Sequence, residues 1–217
     1  METILNYFSS LDIFGWLQIV AMVIGFIYVL LQVKKTRKMW YFWLASSVLN
    51  IFVYFHSGFY AMMALQFYYI VAAIYGLMQW NKTVAEAKEK YGQRKTFKEV
   101  LVRKFEWKKG LISFGVAIVA YICLVPLFKR FSEAGGTAMF ASQPYWDTLL
   151  AVLSMLATYW LSQSYMAQWF IWIFVNAVSI VIFAMGGIYW FSVLYVAYLV
   201  LAIIGIINWK RNAQYVD

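Results

Sequence analysis

The stretch "WFIWIFVNAVSIVIFAMGGIYWFSVLYVAYLVLAIIGIINW", residues 169–209, decides the fold, because the chain carries a second version of it. A shift of 129 positions lays it, without a gap, on "WYFWLASSVLNIFVYFHSGFYAMMALQFYYIVAAIYGLMQW", residues 40–80. Twelve of the 41 aligned positions are identical. Apolar segments align by composition alone, so matches of Val, Ile, Leu and Ala weigh little. The register of Trp40 with Trp169, Trp43 with Trp172, Trp80 with Trp209, Gly58 with Gly187 and Gly76 with Gly205 weighs more. It marks an internal duplication.

Outward from this pair, residues 148–208 contain no Asp, Glu, Lys, Arg or His. Runs of that kind read as bilayer-spanning helices of about 20 residues each. Seven spans are expected, at residues 12–33, 40–55, 59–80, 110–128, 145–164, 169–185 and 188–209. Spans one to three match spans five to seven, and span four stands unpaired between them. A single extra span restores the direction of the second set, so the two sets run parallel. The expected fold is an all-α integral membrane protein with seven transmembrane helices in a 3+1+3 parallel-repeat arrangement. Its expected parts are a first three-helix repeat (1–80), a basic cytoplasmic linker (81–109), a linking transmembrane helix (110–128) and a second three-helix repeat (129–217). Parallel repeats are one architecture that transporters use, with substrate near the midplane between the halves.

Composition agrees: the 217 residues are 65% hydrophobic and 12% charged, far less polar than a soluble domain. The net charge of +9 is topological. Four cations (Lys34, Lys35, Arg37, Lys38) follow span one, ten follow span three and Lys210 and Arg211 follow span seven. Only Lys129 and Arg130 fall on the opposite side. The positive-inside rule then puts the N-terminus outside and the C-terminus in the cytoplasm. The partners expected are the lipid bilayer and a small molecule, with no nucleic acid. Within the linker, Phe97, Val100, Leu101 and Phe105 recur at helical spacing among basic residues, so an amphipathic surface helix is expected there. The opening "METILNYFSSLD" has no positive n-region and does not read as a cleaved signal peptide. One cysteine (Cys123) and one histidine (His56, expected in a solvated turn) leave no material for a disulfide, a His/Cys metal site or a catalytic triad. No metal or cofactor is expected.

On a helix, positions i, i+3 and i+7 share a face. Trp169, Trp172 and Asn176 therefore form a stripe, extended by Ser179 at i+10. The first repeat places Trp40, Trp43, Ser47 and Asn50 at the same offsets, with the polar pair exchanged. If the repeats face each other, four indoles and two amides line one cavity. Asn176 stands about 10 Å of helix rise beyond Trp169, about a third of the way into a core about 30 Å thick. An amide at that depth costs free energy unless it finds a partner. Two alternatives stay open: an interfacial aromatic belt accounts for Trp40 and Trp169, and interhelical bonding accounts equally well for Asn50 and Asn176. Other polar groups in the spans are Gln18, Gln32, Gln66, Ser154, Thr158 and Gln163, of which mid-span Gln66 is the best ligand candidate. No span holds an interior carboxylate, lysine or arginine, the usual equipment of ion-coupled carriers. Passive carriage asks least of this chain. A receptor with a pocket but no flux is the competing class; an intramembrane enzyme lacks a catalytic pair.

The motif W-x-x-W-x-x-x-N (Trp169, Trp172, Asn176), with "AVSIVIFAMGGIYWFSVLY" after it and "GFYAMMALQFYYIVAAIYGLMQW" in the first repeat, resembles the Pnu-type bacterial vitamin transporters. Their best-known branch (PnuC) takes up nicotinamide riboside. The resemblance runs from about Asp12 to Arg211. It implies an arrangement similar to the SWEET sugar transporters, a homotrimer, residence in the bacterial cytoplasmic (inner) membrane, and facilitated diffusion by a uniporter. It also implies trapping of the vitamin by a cytoplasmic kinase. The expected substrate is nicotinamide riboside, with thiamine as the alternative. Both are aromatic cations, and an indole face stabilises a cation by about 0.5–2 kcal/mol. Asn176 can answer a carboxamide or ribose hydroxyls. A phosphorylated vitamin would call for Arg or Lys in the pocket. The substrate-binding set expected is Trp43, Ser47, Asn50, Gln66, Trp169, Trp172, Asn176 and Ser179.

Overall fold

A computed structural model describes residues 12–56, 60–91, 100–133, 144–186 and 189–216. Its seven helices are α1 (Ile13–Val33), α2 (Lys38–His56), α3 (Tyr60–Tyr91), α4 (Trp107–Glu133), α5 (Pro144–Ser162), α6 (Gln168–Met185) and α7 (Tyr189–Asn212). Two short strands, β1 (Val100–Arg103) and β2 (Ala213–Val216), complete the described elements. Asp12 starts α1 by accepting a 2.8 Å hydrogen bond from the Gly15 N–H, which satisfies one donor of the first turn. Among the described residues, four helices are long and apolar enough to cross a membrane: α1, the 107–130 part of α4, α6, and the Ser192–Asn212 part of α7. The chain is thus a multi-pass membrane protein. The other three dilute their hydropathy with the groups that matter below: Ser46, Ser47 and Asn50 on α2, Gln66 on α3, and Thr148, Ser154 and Thr158 on α5.

Two expectations for the linker are corrected. First, α3 does not stop near Trp80 but runs on to Tyr91. The hydropathy signal ends at Asn81, yet "TVAEAKEK" is rich in strong helix formers, and Lys82 pairs with Glu86 one turn on (3.9 Å). Second, Val100–Arg103 is a strand and not an amphipathic helix. It pairs in parallel with β2, Val102 opposite Tyr215, and the Arg103 N–H reaches Ser164 O at 3.2 Å. The β-branched valine suits a strand. Leu101 and Val102 are buried there, and Val102 is fully covered. Phe97 and the Gly58/Gly187 pair lie outside the described residues. Replacing Val102 with Asp buries an unpaired carboxylate. The expected result is detachment of the 100–103 and 213–216 segments with the helices intact, read as new protease cleavage there without loss of helical circular dichroism.

The same local geometry recurs 129 positions apart. Lys35 (φ 45°) and Ser164 (φ 62°) are the two non-glycine residues of the described chain with positive φ, and each turns the chain between two helices. Their N–H groups reach Gln32 O and Leu161 O, both at 2.9 Å. Trp80 Nε1 donates to Leu161 O at 3.1 Å, and Trp209 Nε1 donates to Gln32 O at 3.0 Å. Each bond links the third helix of one set to the first helix of the other. Helix neighbours follow the same scheme: α1 packs on α2 and α7, and α5 packs on α6 and α3. Helix α4 packs chiefly on α5 and turns Leu111, Val116, Val119 and Ile122 outward. The core is aromatic and lies where the two sets meet, with Trp40, Trp169 and Trp209 almost wholly buried.

Candidate functional site

A cavity of about 280 Å³ lies between the two helix sets, near the lower end of the roughly 300–1,000 Å³ usual for small-molecule sites. Helix α2 supplies Trp43, Ser46, Ser47 and Asn50 from one face, and α6 supplies Trp169, Trp172, Val175 and Asn176. Gln66 enters from α3. Seven of the eight residues expected from the sequence therefore meet in one cavity. The eighth, Ser179, does not line it: it is buried one turn beyond Asn176, beside Tyr195, which does line it. A tenth-residue offset carries Ser179 past the end of the space that the stripe faces. Trp40 is also absent from the lining. It lies behind Trp43, stacked at 5.7 Å, so three indoles rather than four face the cavity.

The polar atoms are poorly served by the protein. Asn50 Nδ2 donates to Ser46 Oγ at 3.3 Å, one turn back on its own helix, and Ser46 Oγ donates to Ala21 O at 3.1 Å. Neither amide makes an interhelical hydrogen bond among the described residues. Asn176 and Gln66 are both buried. Ser47 Oγ, Trp169 Nε1 and Trp172 Nε1 are buried without a hydrogen-bond partner among the described residues. Orphaned donors of this kind cost about 1–3 kcal/mol each unless something fills the space. Among the described residues, the lining contains no Asp, Glu, Lys or Arg.

Tyrosines are what the sequence reading missed. Tyr28, Tyr69, Tyr195 and Tyr198 all line the cavity, with Gln32 and Ser154. Trp43 is held between Tyr28 (4.6 Å) and Tyr69 (5.4 Å), and Tyr195 meets Tyr198 edge-on at 5.9 Å. One signal was available: Tyr69 and Tyr198 are an identical pair of the duplication, and Tyr195 aligns with Gln66. The rings make an aromatic box whose π-faces suit a flat, cationic solute, with amides beside them suited to a polar edge.

Towards the end where the α1–α2 turn, β1 and β2 gather, the cavity is closed. Gln32 Nε2 donates to Gln168 Oε1 at 3.3 Å. Beyond it Trp80 packs on Trp40 (5.2 Å) and Trp209 on Trp169 (5.5 Å), and the two pairs touch through Trp80 and Trp209 (6.4 Å). His56 sits at the far end of α2, as its last residue and not in a turn. Its ring stacks on Phe14 at 3.6 Å and lies 3.9 Å from the Asp12 carboxylate.

Helices that cross a bilayer several times around an uncharged aromatic cavity define a membrane transporter class. The chain belongs to the nicotinamide mononucleotide transporter family, whose model matches residues 15–211. It is 24% identical over 217 residues to the nicotinamide riboside transporter PnuC of Escherichia coli (strain K12), covering 92% of this chain and 87% of the relative. The PnuC nicotinamide riboside transporter of Neisseria mucosa is 25% identical over 207 residues, 91% of this chain and 73% of the relative. Among solved structures, a crystal structure of the vitamin B3 transporter PnuC superposes with a TM-score of 0.60 at 22% identity, covering 91% of this chain and 81% of that one. At that identity the likeness speaks to the fold.

Proposed function

We propose that the protein carries nicotinamide riboside across the bacterial inner membrane by facilitated diffusion, and that a separate kinase traps the riboside as its phosphate. The observation that carries this reading is the cavity itself: indole and tyrosine faces, a hydroxyl and two indole donors without a partner, and no charged side chain among the described residues of the lining. A pyridinium cation meets the rings. Its carboxamide and ribose hydroxyls meet Asn50, Ser47, Gln66 and Asn176, with Trp43, Trp169 and Trp172 as the stacking faces. Ser179 acts at one remove, through Tyr195 beside it. The mononucleotide would bring a phosphate into a lining that has no counter-charge for it. The names of the relatives point to the same vitamin.

The architecture proposed is three plus one plus three transmembrane helices in parallel repeats, similar to the SWEET transporters, with 1–80 and 129–217 as the repeats. The mirrored Trp80 and Trp209 bonds support it. The basic α1–α2 turn and the linker lie in the cytoplasm by the positive-inside rule, the N-terminus lies outside, and the assembly is a trimer. The test is uptake into liposomes of purified protein, with labelled nicotinamide riboside and labelled thiamine in parallel. Saturable riboside uptake, independent of ion gradients, is expected. Uptake of thiamine alone overturns the substrate, and binding without uptake of either overturns carriage.

A further inference from the structure

Lys35 is the anomaly of the closed end. It occupies the left-handed position of the α1–α2 turn (φ 45°), where a side chain is strained. Its Nζ is buried and has no hydrogen-bond partner among the described residues. What it has instead is two indole faces: the ammonium lies 4.5 Å from the Trp209 ring centroid and 5.1 Å from that of Trp80. These two tryptophans belong to opposite helix sets and meet each other at 6.4 Å. Burial, and then repulsion from Arg103, push the Lys35 ammonium well below the ordinary lysine pKa. Arg103 itself is engaged by Glu86 at 2.9 Å. The matching residue of the second set is Ser164, so the duplication does not require a cation here.

We infer that Trp80 and Trp209 form a second organic-cation subsite on the cytoplasmic exit route, and that Lys35 is a tethered cation occupying it while the exit is closed. The two indoles meet edge to face across the interface, with 61° between their planes, and each turns a ring face to the Lys35 ammonium, the kind of surface that the main cavity offers a cation. A solute cation leaving that cavity past Gln32 and Gln168 meets them next. The ammonium of Lys35 takes that place when no solute is there, much as a quaternary ammonium sits in an aromatic cage. Solute and side chain therefore compete for one pair of rings, and the exit opens as the lysine is displaced.

The inference rests on the proposed carriage of a cationic vitamin, but its binding test does not. The probe is tetramethylammonium, titrated into purified full-length protein in detergent and followed by tryptophan fluorescence and by calorimetry. Lys35→Met removes the tethered charge and leaves a flexible neutral side chain that a cation can displace, and Lys35→Arg keeps the charge. The expected result is a tetramethylammonium site present in Lys35→Met and absent from wild type and Lys35→Arg, and lost again when Trp209→Leu is added. In liposomes, riboside exit from Lys35→Met is expected to be roughly tenfold faster than from wild type. If the detergent-purified double variant does not stay folded, Trp80→Leu in the Lys35→Met background replaces it. A Lys35→Met protein that binds no more tetramethylammonium than wild type overturns the subsite. Failure of the transport reading would show separately, as wild-type protein that neither binds nor carries the riboside.

Discussion

Asn176→Leu is expected to weaken vitamin binding by about two orders of magnitude while leaving the protein folded. The two side chains share the same branched skeleton of heavy atoms, so the wall of the cavity keeps its outline. Asn176 is 5% exposed and has no hydrogen-bond partner among the described residues, so leucine deprives the protein of nothing that it uses. A substrate carboxamide or hydroxyl, by contrast, would be dehydrated and left unmatched, at about 1–3 kcal/mol for each group. Asn50 provides the comparison. Its amide already donates to Ser46, so Asn50→Leu should cost some stability as well as affinity. Calorimetric titration of the riboside, beside the thermal midpoint in detergent, separates the two cases. Unchanged affinity in Asn176→Leu would return that residue to a packing role.

The second large effect concerns Gly76 and Gly205. A Cβ built on Gly76 would overlap the six-membered ring of Trp40, and one built on Gly205 would overlap that of Trp169. Both rings are about 1% exposed and closed in on all sides. Trp40 is held by Trp43 and Trp80, and Trp169 by Trp209. Overpacking a site that cannot give costs about 1–3 kcal/mol. Each single alanine should therefore lower the thermal midpoint, and the pair together should prevent accumulation of folded protein. The Gly205→Ala variant carries an additional signature, because Trp169 lines the cavity and Trp40 does not. Its affinity for the riboside should fall, whereas that of Gly76→Ala should hold. Gly115 on α4 is the control: nothing lies within 4 Å of its Cβ position, so Gly115→Ala should be neutral.

These cases show what could be read in the chain before its structure. The Trp–Trp–amide stripe was legible because helical periodicity places i, i+3 and i+7 on one face whatever surrounds them. Gly76 and Gly205 were visible as register marks of the duplication, but the tryptophans they accommodate were not. That pairing depends on how α2 leans on α3, which no spacing encodes. The tyrosines of the cavity were hidden by abundance, since 17 tyrosines in a membrane chain look like interfacial belts. Strand β1 was misjudged because "VLVR" is too short to distinguish a period of two from one of 3.6. Its partner lies over a hundred residues away, at Ala213–Val216. The far end of α3 was lost because charged residues silence a hydropathy signal without ending a helix.

The reciprocal bonds from Trp80 to the Leu161 carbonyl and from Trp209 to the Gln32 carbonyl impose a mechanical rule. Each uses a side chain of one half and the main chain of the other, so together they act as two clasps fastened in opposite directions. Moving either half away strains both at once. Releasing one clasp alone would leave a buried indole donor unanswered and open no passage. Such a door would have two rest positions and nothing useful between them. For the facilitated diffusion proposed above, a door never ajar would let solute pass one molecule at a time without becoming a leak.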